Sequence, residues 1–250
     1  MPRKRVIPVL LYQKNGLYKS TRFENPVYVG DPMNAVKIFN EKFTDELIFI
    51  DTEASKLKKE PDYELIQRIT GECFMPLSYG GGITNCQQIE RIIRAGNEKI
   101  ILGNSALYNP EFVREATRNF GTSTVVVCMD IKKNWLGTYM MYSHTKSKIT
   151  DIKAIDFIRR IEDMGAGEIM INDVVKDGTL SGYDEILIQQ MSSRVKIPVI
   201  ACGGAGSTDD FKKAFASGAS AVAAGSLFIF RGKHKAVLIN YPEPEEIDAL

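Results

Sequence analysis

The sequence predicts a (β/α)₈ TIM barrel on three observations. Short apolar runs alternate eight times with amphipathic stretches. Glycine-rich segments follow two of the runs at matched places. The whole pattern returns after about 120 residues. The 250 residues suit one such barrel, read here as one unit over 1–250 with half-barrels near 1–121 and 122–250. A doubly wound sheet would carry GxGxxG after its first strand, and that motif is absent.

The strand candidates begin near Val6, Glu46, Met75, Lys99, Thr124, Glu168, Pro198 and Ala221. Most are rich in Val, Ile and Leu, as strands covered on both faces should be. Helices fill the gaps. Asp31 before Pro32 and Asn109 before Pro110 each place a capping side chain ahead of a first-turn proline. Thr84 with Gln87, and Ser207 with Asp210, have capping-box spacing. Gly96, Gly165 and Gly218 stand where helices close. Tyr12 to Gly30 and Lys132 to Thr150 are expected as long loops after strands one and five, functional or mobile. The acidic tail from Pro242 to Leu250 is expected to be loose.

Bulk properties exclude several classes. Hydrophobic content of 44% and charged content of 25% are those of a soluble globular domain. A net charge of +1 with interleaved signs argues against nucleic acid as a partner. Cys73, Cys86, Cys128 and Cys202 form no CxxC pair, and His144 and His234 are the only histidines. This argues against zinc or any other metal and for reduced, mostly buried thiols in a cytoplasmic protein. Met1-Pro2-Arg3-Lys4-Arg5 leads into too few apolar residues for a signal peptide, and no segment reaches membrane-span length.

The repeat locates the site. Gly80-Gly81-Gly82-Ile83 followed by Leu102-Gly103-Asn104-Ser105 recurs as Gly203-Gly204-Ala205-Gly206 followed by Ala224-Gly225-Ser226. Phe49-Ile50-Asp51 likewise matches Ile171-Asn172-Asp173, and Leu11 matches Asp130. Each glycine segment lies between a strand end and a helix start, where bare N–H groups favour an anion. One such segment alone reads equally well as a tight turn. Two at matched positions predict a long ligand with an anionic group at each end and no further cofactor.

Asp130, ending strand five, could serve as a general acid or base, or merely cap a loop. Asp51 ends strand two in the same way. Asp177-Gly178-Thr179 after strand six suits either a turn or a ligand contact. Lys19, in the first long loop, could reach over a phosphorylated substrate. Leu11, in the place of a second aspartate, cannot move a proton. At the opposite mouth, Arg5, Glu46, Lys99 and Glu168 precede strands one, two, four and six. Their signs can pair, and the residues alone favour a stabilising ring there.

Taken together, Arg5-Val6-Ile7-Pro8, Phe49-Ile50-Asp51, Tyr79-Gly80-Gly81-Gly82-Ile83, Asp177-Gly178-Thr179 with Ser181-Gly182-Tyr183-Asp184, and Gly203-Gly204-Ala205-Gly206 resemble the cyclase subunit of imidazole glycerol phosphate synthase. The resemblance implies a glutaminase subunit docked on the bottom face and ammonia passing a charged gate at Arg5, Glu46, Lys99 and Glu168. It implies that the ammonia then meets a bisphosphorylated ribonucleotide at the top, with Lys19 and Asp130 in catalytic places. It also implies phosphate contacts at Gly81, Gly82, Gly103, Asn104, Ser105, Asp177, Gly178, Thr179, Gly203, Gly204, Gly225 and Ser226. The first catalytic aspartate maps onto Leu11, one further acid is lost at Val175, and His234 to Leu250 departs from the usual last helix.

Pro8-Val9-Leu10-Leu11, Tyr28-Val29-Gly30-Asp31-Pro32, Asn34 to Lys42, Gly71 to Pro76 and Ala223 to Tyr241 look closer still to second-copy paralogues of bacterial surface-polysaccharide clusters. That likeness implies ammonia delivery, with a glutaminase, to a separate ATP-using amidotransferase acting on an acetamido sugar in O-antigen or other surface-glycan synthesis. The alternatives are a working histidine-pathway cyclase and an inert scaffold that activates its glutaminase. The sister isomerase of the pathway fits less well, because it too uses an aspartate at the place of Leu11.

Overall fold

The computed structural model describes residues 4–232 and 234–250. The signal-peptide reading of Met1, Pro2 and Arg3 falls outside the described residues.

Eight parallel strands form the barrel: β1 (Arg5–Gln13), β2 (Leu47–Asp51), β3 (Leu77–Gly80), β4 (Lys99–Leu102), β5 (Val125–Lys133), β6 (Glu168–Asp173), β7 (Val199–Cys202) and β8 (Ala221–Ala224). Each pairs with the next, and β8 pairs back onto β1 with Arg5 opposite Ala221, which closes the ring. The strands begin within two residues of the sequence expectation. Period-two alternation then sorts the side chains into two cores. Ile7, Val9, Ile48, Ile101, Val126, Met170, Ile200, Ala221 and Ala223 fill the barrel interior. Val6, Leu10, Phe49, Val127 and Ile171 face outward against the helices.

Helices at Pro32–Glu41, Tyr63–Glu72, Cys86–Arg94, Pro110–Phe120, Ala154–Asp163, Glu185–Ser192 and Thr208–Ala216 cover the barrel. Asp31 caps the first by accepting from the Asn34 N–H, and Ser207 with Asp210 forms a complete capping box. Two expected caps differ. Asn85, not Thr84, caps the third helix, because Thr84 is engaged by Gln88 Oε1. Asn109 makes no side-chain cap bond, so Pro110 alone marks that start. Gly96, Gly165 and Gly218 all have positive φ beyond helix ends, as predicted.

The two long loops are instead antiparallel hairpins. β1 runs into strands Gly16–Thr21 and Glu24–Gly30, and β5 into Tyr139–Ser143 and Lys148–Lys153. The turn at Lys14 and Asn15 has φ of 46° and 61°, as a two-residue hairpin turn with the strands' own twist requires.

The tail is packed rather than loose. The helical position after β8 is split between Ser226–Ile229 and, within the tail, Pro244–Asp248. Tyr241 and Ile247 are buried, the Tyr241 hydroxyl donates to Val6 O at 2.8 Å, and Lys4 donates to Leu250 O. These contacts hold the tail at the foot of β1. Tyr241→Phe is expected to cost about 1–2 kcal/mol, since it deletes a buried hydrogen bond and keeps the ring. Urea unfolding checks this, and a change below about 0.5 kcal/mol would mean the tail contributes little there.

Candidate functional site

The C-terminal strand ends surround a cavity of about 430 Å³, within the range of small-molecule sites. It is lined by Lys19, Asp51, Asp130, Asp177 and Gly178 and by both glycine segments with Gly103, Asn104, Ser105, Gly225 and Ser226. Thr179 does not line it; its hydroxyl donates to Lys176 O and pairs with Ser181. A tight turn after β6 spends that side chain on its own backbone.

Glycine is required at the two turns. Gly81, Gly82, Gly203 and Gly204 have φ of 115°, 71°, 87° and 117°. A Cβ on Gly203 would lie 2.7 Å from both Asn172 Oδ1 and Asp173 O, and one on Gly81 would collide with Asp51 O. Gly103 and Gly225 have negative φ instead. At Gly103 no atom would meet a Cβ, so that backbone faces open cavity.

Asp130 stands at the head of β5, where Asn172 Nδ2 donates to its Oδ1 at 2.9 Å. Burial pushes its carboxyl above the ordinary range, while the Asn172 hydrogen bond and His144 act against that. Lys19 is only 4% exposed, and its Nζ donates to Val9 O at 2.5 Å. Burial pulls its ammonium down to about 8 against the pull of Asp177. Burial pushes Asp177 up to about 7, with Lys19 acting against and Asp130 adding to it. A lysine and two carboxyls in one cavity thus have pKa values drawn toward neutrality, as proton transfer needs.

Asp51 has a local task. Its Oδ1 accepts from the Glu53 and Ala54 N–H groups, both at 2.9 Å. Its repeat partner Asp173 accepts from Val175 and Lys176 in the same way. The matched pair holds the two loops that follow β2 and β6. Burial raises Asp51 above the usual carboxylate range, with those N–H bonds opposing.

Sequence reasoning missed His144 and Asn172 as cavity residues. His144 sits in the second hairpin, its Nε2 is 3.1 Å from Thr52 O, and Phe23 meets it edge-on at 5.2 Å. Burial lowers its pKa. A hairpin tip folded over the barrel has no local signature, whereas Asn172 could have been found as the residue before the Asp51 counterpart.

Leu11 enters the cavity at the head of β1, while Arg5 stands at its foot. Arg5 contacts Glu46 at 2.8 Å and Glu168 at 3.0 Å, and Lys99 contacts the same two at 3.2 and 3.4 Å. The four charges close a ring of alternating sign, and the Ser78 hydroxyl donates to Glu46 at 3.1 Å. Burial disfavours the Arg5 charge, but Glu168 and Glu46 outweigh it and raise its pKa. Above the ring lies the apolar interior, and Val9, Ile101 and Met170 of that interior also line the cavity floor. Cys128 and Cys202 stand there as free, half-buried thiols, less covered than expected.

Because Lys19 titrates lower in the fold than in the open chain, it costs stability while charged. Between about pH 8 and 10.5 the unfolded chain binds the extra proton, so wild-type stability rises with pH across that window. Lys19→Met should therefore stabilise at pH 7 by on the order of 2 kcal/mol, Asp177 then taking up a proton. The gain should shrink by pH 10. Urea unfolding at both values checks it, and a gap that does not change with pH would contradict a charge-based cost at Lys19.

Among the described residues no helix is long and apolar enough to cross a membrane. Residues 5–235 match the family described as "Histidine biosynthesis protein". A Pseudomonas aeruginosa protein, provisionally named imidazole glycerol phosphate synthase subunit hisF2, is 45% identical over 249 residues, 99% of each chain. A Vibrio vulnificus protein provisionally named subunit hisF3 is 46% identical over 248 residues, 98% of this chain and 95% of that one. Imidazole glycerol phosphate synthase subunit HisF of Alkaliphilus metalliredigens is 38% identical over 229 residues, 91% of each chain.

Proposed function

This chain belongs to the HisF-type family of imidazole glycerol phosphate synthase subunits, and on that premise we propose that it conducts ammonia within a glutamine amidotransferase complex without itself being a self-sufficient cyclase. A HisH-like glutaminase docks on the face bearing the ring of Arg5, Glu46, Lys99 and Glu168. Neutral ammonia crosses the ring and the apolar interior, where an ammonium ion would lose its hydration without compensation. It emerges beside Asp130 and Lys19, in a cavity whose glycine segments hold phosphate.

The observation that carries this reading is β1 itself. Arg5 completes the ring at one end, and Leu11 lines the cavity at the other, in the place matching Asp130. The route is kept while one of the paired acids is gone. The destination, amidation of an acetamido sugar for a surface glycan by an ATP-using enzyme, rests on the likeness to second-copy paralogues.

Purified chain supplied with ammonium at alkaline pH and the bisphosphorylated ribonucleotide should form no imidazole glycerol phosphate. Steady turnover would overturn the proposal in favour of a working cyclase, the second reading, which Asp130 and Lys19 in one cavity favour. Complementation of a histidine auxotroph lacking the cyclase would overturn it equally. An inert scaffold is distinguished by Asp130→Asn, which would leave the activity of the assembled complex unchanged.

A further inference from the structure

Three of the covering helices end in one way. Gly96 donates to Ile93 O and Asn97 to Ile92 O; Gly165 and Ala166 return to Glu162 O and Ile161 O, and Gly218 and Ala219 to Phe215 O and Ala214 O. Each glycine has positive φ, as this pair of end bonds requires. The helix Pro32–Glu41 closes with the same two bonds, Phe43 N–H to Asn40 O at 3.1 Å and Thr44 N–H to Phe39 O at 3.4 Å. Its left-handed residue, however, is Phe43, with φ of 52°. A bulky side chain in that backbone region is strained. Burial does not offset the strain, because Phe43 is 84% exposed.

A second phenylalanine stands beside it. Phe74, in the turn between the helix Tyr63–Glu72 and β3, is 86% exposed. Asn40 holds both turns: its O accepts from Phe43, its Oδ1 accepts from the Phe74 N–H at 3.0 Å, and its Nδ2 donates to Glu72 O at 2.5 Å. Both turns lead into strand starts and so lie on the face of the charged ring. Phe43 precedes Glu46 by three residues, and Ser78 of β3 donates to Glu46. Among the described residues only Trp135, on the opposite face, is a more exposed large apolar side chain.

Two phenyl rings offer on the order of 300–400 Å² of apolar surface. That is about half of the ~800 Å² each partner contributes to a stable complex. The ring and the tail border the pair, and Lys42 meets Glu243 of the tail at 3.8 Å. We propose that Phe43 and Phe74 together anchor the HisH-like glutaminase, both side chains entering an apolar recess on that protein. The inference rests on docking at the ring face and adds that the paired phenylalanines, rather than the charges, carry the affinity. A second copy of this chain fits less well. It would bring the exposed acids Glu243, Glu245, Glu246 and Asp248 to a contact already holding the same four, and set one ring against another.

Calorimetry with the purified HisH-like glutaminase of the same organism tests this. Phe43→Gly and Phe74→Ser should each weaken binding at least about tenfold, and Trp135→Ser should change it by less than about threefold. Thermal unfolding of the isolated chain separates docking from folding. Phe43→Gly should melt about 2 °C or more above the wild type, because glycine relieves the left-handed strain. Phe74→Ser should melt within about 2 °C of it. Phe43→Asn is the substitute if Phe43→Gly does not fold, since asparagine accepts the same backbone. Unchanged binding in either phenylalanine variant would overturn the proposal and leave docking at the ring face intact. Dimerisation of the isolated chain that Phe74→Ser abolishes would assign the pair to a second copy and overturn it equally. A wild-type chain that does not bind the glutaminase would overturn it together with the docking step of the proposed function. Every arm reads binding and none reads ammonia, so failure of conduction alone would leave these outcomes standing.

Discussion

Glu46→Ala is expected to destabilise the fold by about 3–5 kcal/mol, the usual cost of breaking a buried ion pair by removing one partner. Glu46 is 4% exposed and accepts from Arg5, Lys99 and Ser78. Without it, two cations face the single carboxylate of Glu168, and the Ser78 hydroxyl loses its acceptor. For a chain of this size the loss corresponds to a melting temperature about 10 °C lower. Glu46→Gln should fall between, because the amide can still accept from Ser78 but no longer neutralises a cation. Thermal and urea unfolding check both. A loss under about 1 kcal/mol for Glu46→Ala would show that water already screens the ring. A loss of that size would give the ring a stability role whether or not ammonia passes it, which is why the sequence alone left its purpose open.

Gly203→Ala is the second large effect, and Gly121 supplies a matched control. The two glycines have φ of 87° and 88°. A methyl at Gly121 would meet no atom, whereas at Gly203 it would lie 2.7 Å from Asn172 Oδ1 and Asp173 O. Gly121→Ala should thus cost about 1–3 kcal/mol, the conformational part alone, because φ of 88° with ψ of 152° is a region held almost entirely by glycine. Gly203→Ala should cost about 1–3 kcal/mol more, because backbone must also move. It should further disturb the bond from Asn172 to Asp130 and weaken phosphate binding at sites where Gly121→Ala has no effect. Equal unfolding costs for the two would refute the steric argument.

The contrast between what was legible and what was not follows from the range of the interactions. The barrel strands were readable because most are local runs rich in Val, Ile and Leu, and Ser207 with Asp210 because a capping box is complete within one turn. The hairpins escaped although Asn15-Gly16 is a local turn signal, because the flanking segments are mixed and half-exposed. Their second turn falls on Arg22 and Phe23, with φ of 57° and 65°, residues that carry no turn preference. That conformation is held by tertiary contacts, Arg22 to the β6 loop and Phe23 to His144, which one-dimensional reading does not contain. The tail failed for the same reason: Tyr241 is anchored by Val6, almost the full length of the chain away. At the site, the glycine pairs and Asp130 were visible through the repeat, but the repeat could not show that Lys19 folds down from the hairpin onto Val9 O.

The tail packed at the foot of β1 has a practical corollary. Lys4 and Leu250 are hydrogen-bonded to one another, so any tag or fusion attached at Leu250 leaves the molecule on the face that carries the ring of Arg5, Glu46, Lys99 and Glu168. A surface-immobilised preparation anchored there would present the cavity mouth to solvent and shield the opposite face. Small-molecule binding would survive such anchoring, while measured affinity for a protein on the ring face would be depressed. Labels for partner-binding work belong on the hairpin tips instead, where Trp135 is 90% exposed.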